Sequence, residues 1–258
     1  MDWKKESEMF NQAADYYDRY RPSYPEDIID IIIKETKIQK GSRLLEIGAG
    51  SGKTTELFTG RGFDILCIEP GNELVNIGNK RFEGNAIRFE TARFEEYNLP
   101  FQSYDVIFSA QAFHWIPQPI GYEKCAYALK ADGFLALFWN MYITYDNKVD
   151  NELLEISNKY GGFADFLSEI DCEKRIQSIV TGIGDSGLFS MPKVFRTLWK
   201  QEYTADEYYG FALTGNRFVQ KNNEEKHRAY IELDNLANKH KGVIERSYLC
   251  VLYLSQKL

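Results

Sequence analysis

Between residues 23 and about 140 the chain switches repeatedly between helical and strand-like hydrophobic periods. Ile28, Ile29, Ile32 and Ile33 recur at helical spacing behind Ser23-Tyr24-Pro25-Glu26, whose S-x-x-E spacing predicts a capping box, and Gly41 closes that helix. Residues 43–47 form a short apolar run that enters Gly48-Ala-Gly50-Ser-Gly52, and a helix follows over about 53–59. Residues 63–68 read as a second strand ended by Glu69-Pro70-Gly71, with Asn72 as cap of a helix to about Phe82. Residues 87–91 and 104–110 read as third and fourth strands. A helix over about 120–130, with Tyr122, Cys125, Ala126 and Leu129 on one face, stops at Asp132-Gly133 before a fifth strand, 134–139.

Strands alternating with helices across short loops predict an α/β fold with a doubly wound, mostly parallel sheet. Residues 141–190 are helical and polar, broken at Gly161-Gly162 and at Gly182, Gly184 and Gly187. Residues 194–203 and 245–256 read as long strands separated by helical segments at 205–213 and 223–239. Added at one edge as an antiparallel pair, they make a seven-stranded sheet. The expected organisation is a single domain: lid helices in 1–42, a ligand-binding core in 43–140, an insertion and edge strand in 141–245, and a terminal strand in 246–258. Such sheets bind ligands at the carboxyl ends of their strands, beside the switch at strand one. The positions just after 47, 68, 91 and 110 are therefore the candidates.

Composition narrows the ligand. The chain has 258 residues, 44% hydrophobic and 27% charged, which suits a globular domain with a real core. Thirty-one basic against 38 acidic residues give a net charge of −7, with no basic stripe, which argues against a nucleic-acid partner. No apolar leader opens the chain, and its most apolar runs are about a third of a membrane-spanning helix, so no membrane is expected. Cys67, Cys125, Cys172 and Cys250 are scattered without a CxxC pair, and His114, His227 and His240 supply no metal ligand set. A reduced, cytoplasmic protein without a metal is expected.

The glycine loop leaves three ligands to weigh. A P-loop requires glycine at position 47, which is Ile47, and Asp105 opens its strand rather than ending it. The dinucleotide fingerprint requires glycine at position 53, which is Lys53. Glu46 would repel a phosphate about 4 Å away by roughly 1–4 kcal/mol, depending on screening, and would attract a cation. Glu69, at the end of the second strand, can accept two hydrogen bonds from ribose hydroxyls. A ligand with a ribose and a positive centre but no phosphate is S-adenosylmethionine.

Leu44-Leu-Glu46-Ile-Gly48-Ala-Gly50-Ser-Gly52 resembles motif I of the class I S-adenosylmethionine-dependent methyltransferases. Residues 15–25, with Arg21-Pro-Ser-Tyr24-Pro25, and Gln111-Ala-Phe-His114-Trp115 are similar to segments of its small-molecule, trans-aconitate methyltransferase-like subgroup. The resemblance implies that Glu46, Gly48, Gly50 and Gly52 hold the methionine part of the cofactor and Glu69 the ribose. It implies further that Asn72 lines the adenosine side and that Ala92, Arg93 and Phe94 flank the adenine. The acid common at this last turn is absent, which leaves backbone groups and stacking on Phe94.

On the acceptor side the resemblance offers Tyr24, Gln111, His114 and Trp115. His114 is either a base, able to take a proton near neutral pH, or a packing and orienting group beside Trp115. Arg21, among Tyr16, Tyr17, Tyr20 and Tyr24, can bind the methionine carboxylate or an acidic acceptor. Arg217 is either a second anion anchor or a surface arginine. Trp139 reads as core. The expected activity is methyl transfer to a small molecule, with O-methylation of a carboxylate as one form of it. Two alternatives stand beside it: a non-catalytic S-adenosylmethionine-binding protein, and a nicotinamide-dependent oxidoreductase, which Lys53 and Glu46 disfavour. Monomer and homodimer both remain open.

Overall fold

The computed structural model describes residues 14–143, 148–164, 166–215 and 217–258, with backbone alone at 14, 15 and 17. Residues 1–13 of the expected lid, the ring of Tyr17 and residue 216, beside Arg217, lie outside the described residues. In chain order the elements are α1 (Ala14–Tyr20), α2 (Glu26–Thr36), β1 (Arg43–Ile47), α3 (Lys53–Leu57), β2 (Asp64–Glu69), α4 (Asn72–Arg81), β3 (Ile87–Thr91) and β4 (Tyr104–Ala110). There follow a 3-10 turn (Phe113–Trp115), α5 (Ile120–Ala128), β5 (Leu129–Tyr142), α6 (Lys148–Lys159), α7 (Glu169–Asp185), β6 (Lys193–Tyr203), α8 (Ala205–Ala212), α9 (Asn223–Lys239) and β7 (Ile244–Gln256).

The seven strands form one sheet in the order β3-β2-β1-β4-β5-β7-β6. β1 to β5 run parallel, and β7 and β6 are added antiparallel at one edge, as the sequence pattern predicted. Strand period sorts the core into two layers. Leu45, Ile47, Leu66, Ile68, Ile107 and Leu137 face one side, while Leu44, Ile65, Cys67, Val106, Phe108 and Phe138 face the other. A third cluster packs α6, α8 and α9 on the ends of β6 and β7. All four cysteines are buried free thiols.

Local signals misplaced four boundaries. Pro25, not Ser23, precedes α2, and the Ser23 carbonyl instead accepts from Asn140 Nδ2 at 2.9 Å. That helix ends at Lys37, whose positive φ of 56° lets its N–H reach the Ile33 carbonyl, four residues before Gly41. Gly71 holds the cap position of α4, and Asn72 is its first residue. α5 stops at Ala128 because Leu129 already pairs with Tyr104. The register then jumps to Val106 opposite Phe134, so Asp132-Gly133 sits in a bulge of β5.

Candidate active site

The strand order reverses at β1, with β2 on one side and β4 on the other, and the carboxyl ends there open into a cleft of about 560 Å³. That volume suits a small-molecule pocket. Phe166, Leu167 and Arg175, from the segment around the start of α7, contribute to its walls. A smaller hollow, lined in part by Pro22, Tyr24 and Lys53, shares Arg21, Gly48 and Gly50 with the cleft.

The glycine loop uses its N–H groups on the protein itself. Gly48 and Ala49 donate to the Ile68 carbonyl at 2.8 and 3.3 Å, and Gly52 donates to the Ala49 carbonyl at 2.9 Å. Gly50 donates to Glu69 Oε2 at 3.0 Å, and Gly71 donates to Glu69 Oε1 at 2.9 Å. A phosphate cradle needs such groups free and pointing at the ligand. Here the N–H groups of Gly48, Ala49, Gly50 and Gly52 are committed, one of them to an acid. Burial pushes the Glu69 carboxyl up from its ordinary value, and the two N–H donors pull it back. Glu69 is 8% exposed and lines the cleft, and each oxygen retains lone-pair capacity for a ligand hydroxyl.

Gly48 and Gly52 have different reasons to be glycine. A Cβ on Gly48, at φ +67°, would sit 2.3 Å from the Ala112 Cβ. One on Gly52, at φ +91°, would sit 2.4 Å from the ring of Phe82 and 2.9 Å from that of Phe89. Gly52 is therefore bare for the stacked Phe82–Phe89 pair, not for a ligand, and it does not line the cleft.

Glu46 also departs from expectation. It shares the Leu44 face of β1, where its carboxyl accepts from the Thr55 hydroxyl and lies 3.9 Å from Cys67 Sγ. It is 1% exposed, and burial pushes its carboxyl up to about 8. It neither lines the cleft nor carries a full negative charge at pH 7, so the charge argument against a phosphate passes to Glu69.

At the β3 end, Ala92, Arg93, Phe94 and Glu95 line the cleft. The Ala92 N–H donates to the Glu69 carbonyl at 3.1 Å, tying this turn to the end of β2. Lys124 Nζ lies 5.8 Å from the centre of the Phe94 ring. Glu95, paired with Arg93 at 4.0 Å, supplies an acid one position past Phe94. Asn72 stays outside, accepting from the Thr91 hydroxyl at 3.3 Å. Arg217 is exposed and also outside.

The β4–β5 end gathers Arg21, Gln111, His114, Trp115, Asn140 and Tyr142. Gln111, at φ 58°, turns its side chain back so that Nε2 donates to the Asn140 carbonyl at 3.1 Å. Asn140 accepts from Trp199 Nε1 at 3.0 Å while donating to Ser23, which pins the segment carrying Arg21 and Tyr24 to the sheet. Arg21 donates to the Thr214 carbonyl at 3.3 Å and lies over the Phe211 ring. α1 is fastened by Arg81, which donates to Asp18 at 2.7 Å and to the Ser51 carbonyl of the glycine loop at 3.1 Å.

Trp139 is buried core, yet its Nε1 lies 3.3 Å from His114 Nδ1. An indole N–H only donates, so Nδ1 accepts and the neutral imidazole carries its proton on Nε2. Burial, reinforced by the Arg175 charge, holds His114 down at about 4. At neutral pH it is a donor rather than a base.

Glu95, Tyr142, Phe166 and Arg175 escaped the sequence reading. Among the described residues no group of histidines, cysteines or acids could hold a metal ion, and no helix is long and apolar enough to cross a membrane.

Comparison with known proteins agrees with this geometry. Residues 45–137 match the family model of a methyltransferase domain. Over 154 residues the chain is 32% identical to an uncharacterized methyltransferase of Mycobacterium tuberculosis H37Rv, covering 59% of this chain and 60% of that protein. An uncharacterized methyltransferase of Schizosaccharomyces pombe is 30% identical over 126 residues, covering 48% of this chain and 49% of its own. The matches thus span at most about 60% of these relatives' length. Among solved structures, the YcgJ protein of Bacillus subtilis superposes over 90% of this chain and 99% of its own, with a TM-score of 0.55 at 16% identity. Phosphoethanolamine N-methyltransferase 2 of Haemonchus contortus, in complex with S-adenosyl-L-methionine, covers 98% of this chain and 57% of its own, with a TM-score of 0.53 at 14% identity. Sheet order, glycine loop and sequence match converge on one likeness: residues 45–137 are similar to a methyltransferase domain, and the seven-stranded sheet is the fold shared with these solved structures.

Proposed function

We propose that the chain transfers a methyl group from S-adenosylmethionine to a carboxylate of a small-molecule acceptor. The observation that carries the cofactor reading is Glu69, fixed by Gly50 and Gly71 at the cleft with acceptor capacity to spare. The N–H groups of Gly48, Ala49, Gly50 and Gly52 are committed to the protein, which disfavours a pyrophosphate. When bound, the cofactor supplies an activated methyl on its sulfonium; a carboxylate oxygen forms the new C–O bond as the C–S bond breaks, its electron pair staying on sulfur.

Each wall of the cleft then has a task. Glu69 accepts from the ribose hydroxyls, while Gly48 and Gly50 let the methionine part lie on the backbone. Ala92, Phe94 and Glu95 meet the adenine, with Asn72, Glu46 and Gly52 supporting from outside the cleft. Arg21 binds the methionine carboxylate. Gln111, Trp115 and the Nε2 proton of His114 orient the acceptor, with Tyr24 closing the adjoining hollow.

The absence of a base among the described cleft residues favours an acceptor that attacks without first losing a proton, as a carboxylate does. His114 is held neutral, Glu95 is paired with Arg93, and Glu69 is assigned to the ribose. A nucleophile that must lose a proton finds no group to take it, whereas a carboxylate needs none. Much of the acceleration then comes from alignment and exclusion of water.

The test supplies S-adenosylmethionine labelled in its methyl group together with a panel of small carboxylic acids. Label that enters product and is released as methanol by mild base marks a methyl ester and supports the reading. Label in a base-stable product, or no product from any acid, overturns it.

A further inference from the structure

We propose that Arg175 of α7 is a specificity-determining residue: it pairs with the negative charge of the acceptor, admitting anions to the cleft and rejecting cations. The inference rests on the methyl-transfer reading above and adds to it a residue from outside the matched domain.

Cys172 and Ile176 face the core from α7, and Arg175 stands between them in sequence, exposed at the wall of the cleft with Phe166 and Leu167. Its neighbours are already balanced. Glu173 pairs with Arg196 at 3.2 Å, and Asp171 with Lys174 at 3.4 Å. Among the described residues, Arg175 itself enters no salt bridge.

The charges lining the cleft are also divided by position. The acids, Glu69 and Glu95, sit at the ends of β2 and β3, where Arg93 balances Glu95. Among the described residues, the ionisable groups lining the cleft at the β4–β5 end are Arg21, Arg175, His114 and Tyr142, with no carboxyl. Arg21 already donates to the Thr214 carbonyl. Arg175 therefore supplies an unbalanced positive charge at the end where the acceptor enters. Its charge adds to burial in disfavouring the protonated form of His114. A guanidinium binds a carboxylate through two parallel N–H bonds and repels an ammonium.

Two readouts test this, and calorimetry of S-adenosylmethionine binding separates them from the underlying reading. The first compares the wild type, R175Q and the control R196Q on short carboxylic acids and on the matching amides and amines. The expected result is turnover of acids by the wild type, a rise in KM of roughly ten- to hundredfold in R175Q with cofactor affinity unchanged, and no change in R196Q. Equal KM values for wild type and R175Q, or amines preferred by the wild type, would overturn the assignment.

The second readout needs neither cofactor nor acceptor. Trp115 lines the same cleft, and its fluorescence is isolated by difference from W115F. Iodide should quench it more strongly than caesium in the wild type, and R175Q should lose that preference while neutral acrylamide quenches both proteins equally. An iodide preference that survives R175Q sinks the proposal even if the cofactor binds. Failure of cofactor binding with the preference intact would instead remove the methyl-transfer reading.

Discussion

The indole N–H of Trp139, on β5, is donated to Nδ1 of His114, in the turn that follows β4, over 3.3 Å. This contact fixes the tautomer of the histidine lining the cleft, whose protonation burial and the Arg175 charge oppose. An indole N–H aimed at Nδ1 also leaves no place there for a second proton. W139F removes the donor, so the His114 value should rise from about 4 toward the ordinary 6.5, read by NMR titration of the ring. A ring that still titrates near 4 would assign the depression to burial and the Arg175 charge without the indole contact. The sign for stability follows. With its folded value below the unfolded one, His114 contributes stability that is present above about pH 6.5 and is lost as pH falls toward 4.

If His114 orients rather than deprotonates, H114Q should cost less than about tenfold in kcat, against the 10²–10⁴-fold expected for loss of a general base. The wild-type pH–rate profile should also lack a limb near 6.5. A limb there that disappears in H114Q would return His114 to the role of base.

Glu46 titrates with the opposite sign. Its folded carboxyl is raised to about 8 by burial, so its contribution is complete below about pH 4.5 and is lost as pH rises to 8. E46Q keeps an acceptor for the Thr55 hydroxyl and removes the titration. Its melting temperature should match the wild type near pH 5 and exceed it by several degrees at pH 8.5. Parallel pH profiles for the two proteins would show that Glu46 is ionised in the fold.

Gly48→Ala and Gly52→Ala both force a Cβ into occupied space at positive φ. Each should destabilise by about 2–5 kcal/mol in denaturant titration, summing backbone strain and overpacking. Gly52→Ala in an F82A background should recover part of that loss. Equal losses in both backgrounds would remove the assignment of Gly52 to the aromatic pair.

How far the sequence reading reached can be followed residue by residue. β1, β2 and β4 were legible because they are buried on both faces and read as apolar runs, and the edge pair β7–β6 followed from their length. Gly50, Glu69, Gln111, His114 and Trp115 were legible because they lie where strands end, and all reach the cleft. Glu46 was misplaced because a motif records spacing but not which face a side chain takes; period two puts it with Leu44, toward Thr55. Gly52 was misplaced because a bare Cα serves a neighbouring ring as readily as a ligand. Arg175 and Phe166 were invisible because a polar helix and its lead-in carry no pattern that distinguishes a cleft wall from a solvated surface. Asn140 did carry a signal, as an amide inside an apolar strand, but its partners Ser23 and Trp199 come from distant segments.

The central claim is that Glu69, locked to the glycine loop, makes this a ribose-and-sulfonium site rather than a phosphate site. Isothermal titration calorimetry of wild type and E69A with S-adenosylmethionine, NAD and ATP tests it most directly. The predicted result is micromolar S-adenosylmethionine binding to the wild type alone, weakened by about 1.5–3 kcal/mol in E69A, with no binding of NAD or ATP. Preference for NAD or ATP, or unchanged S-adenosylmethionine affinity in a folded E69A, would contradict it.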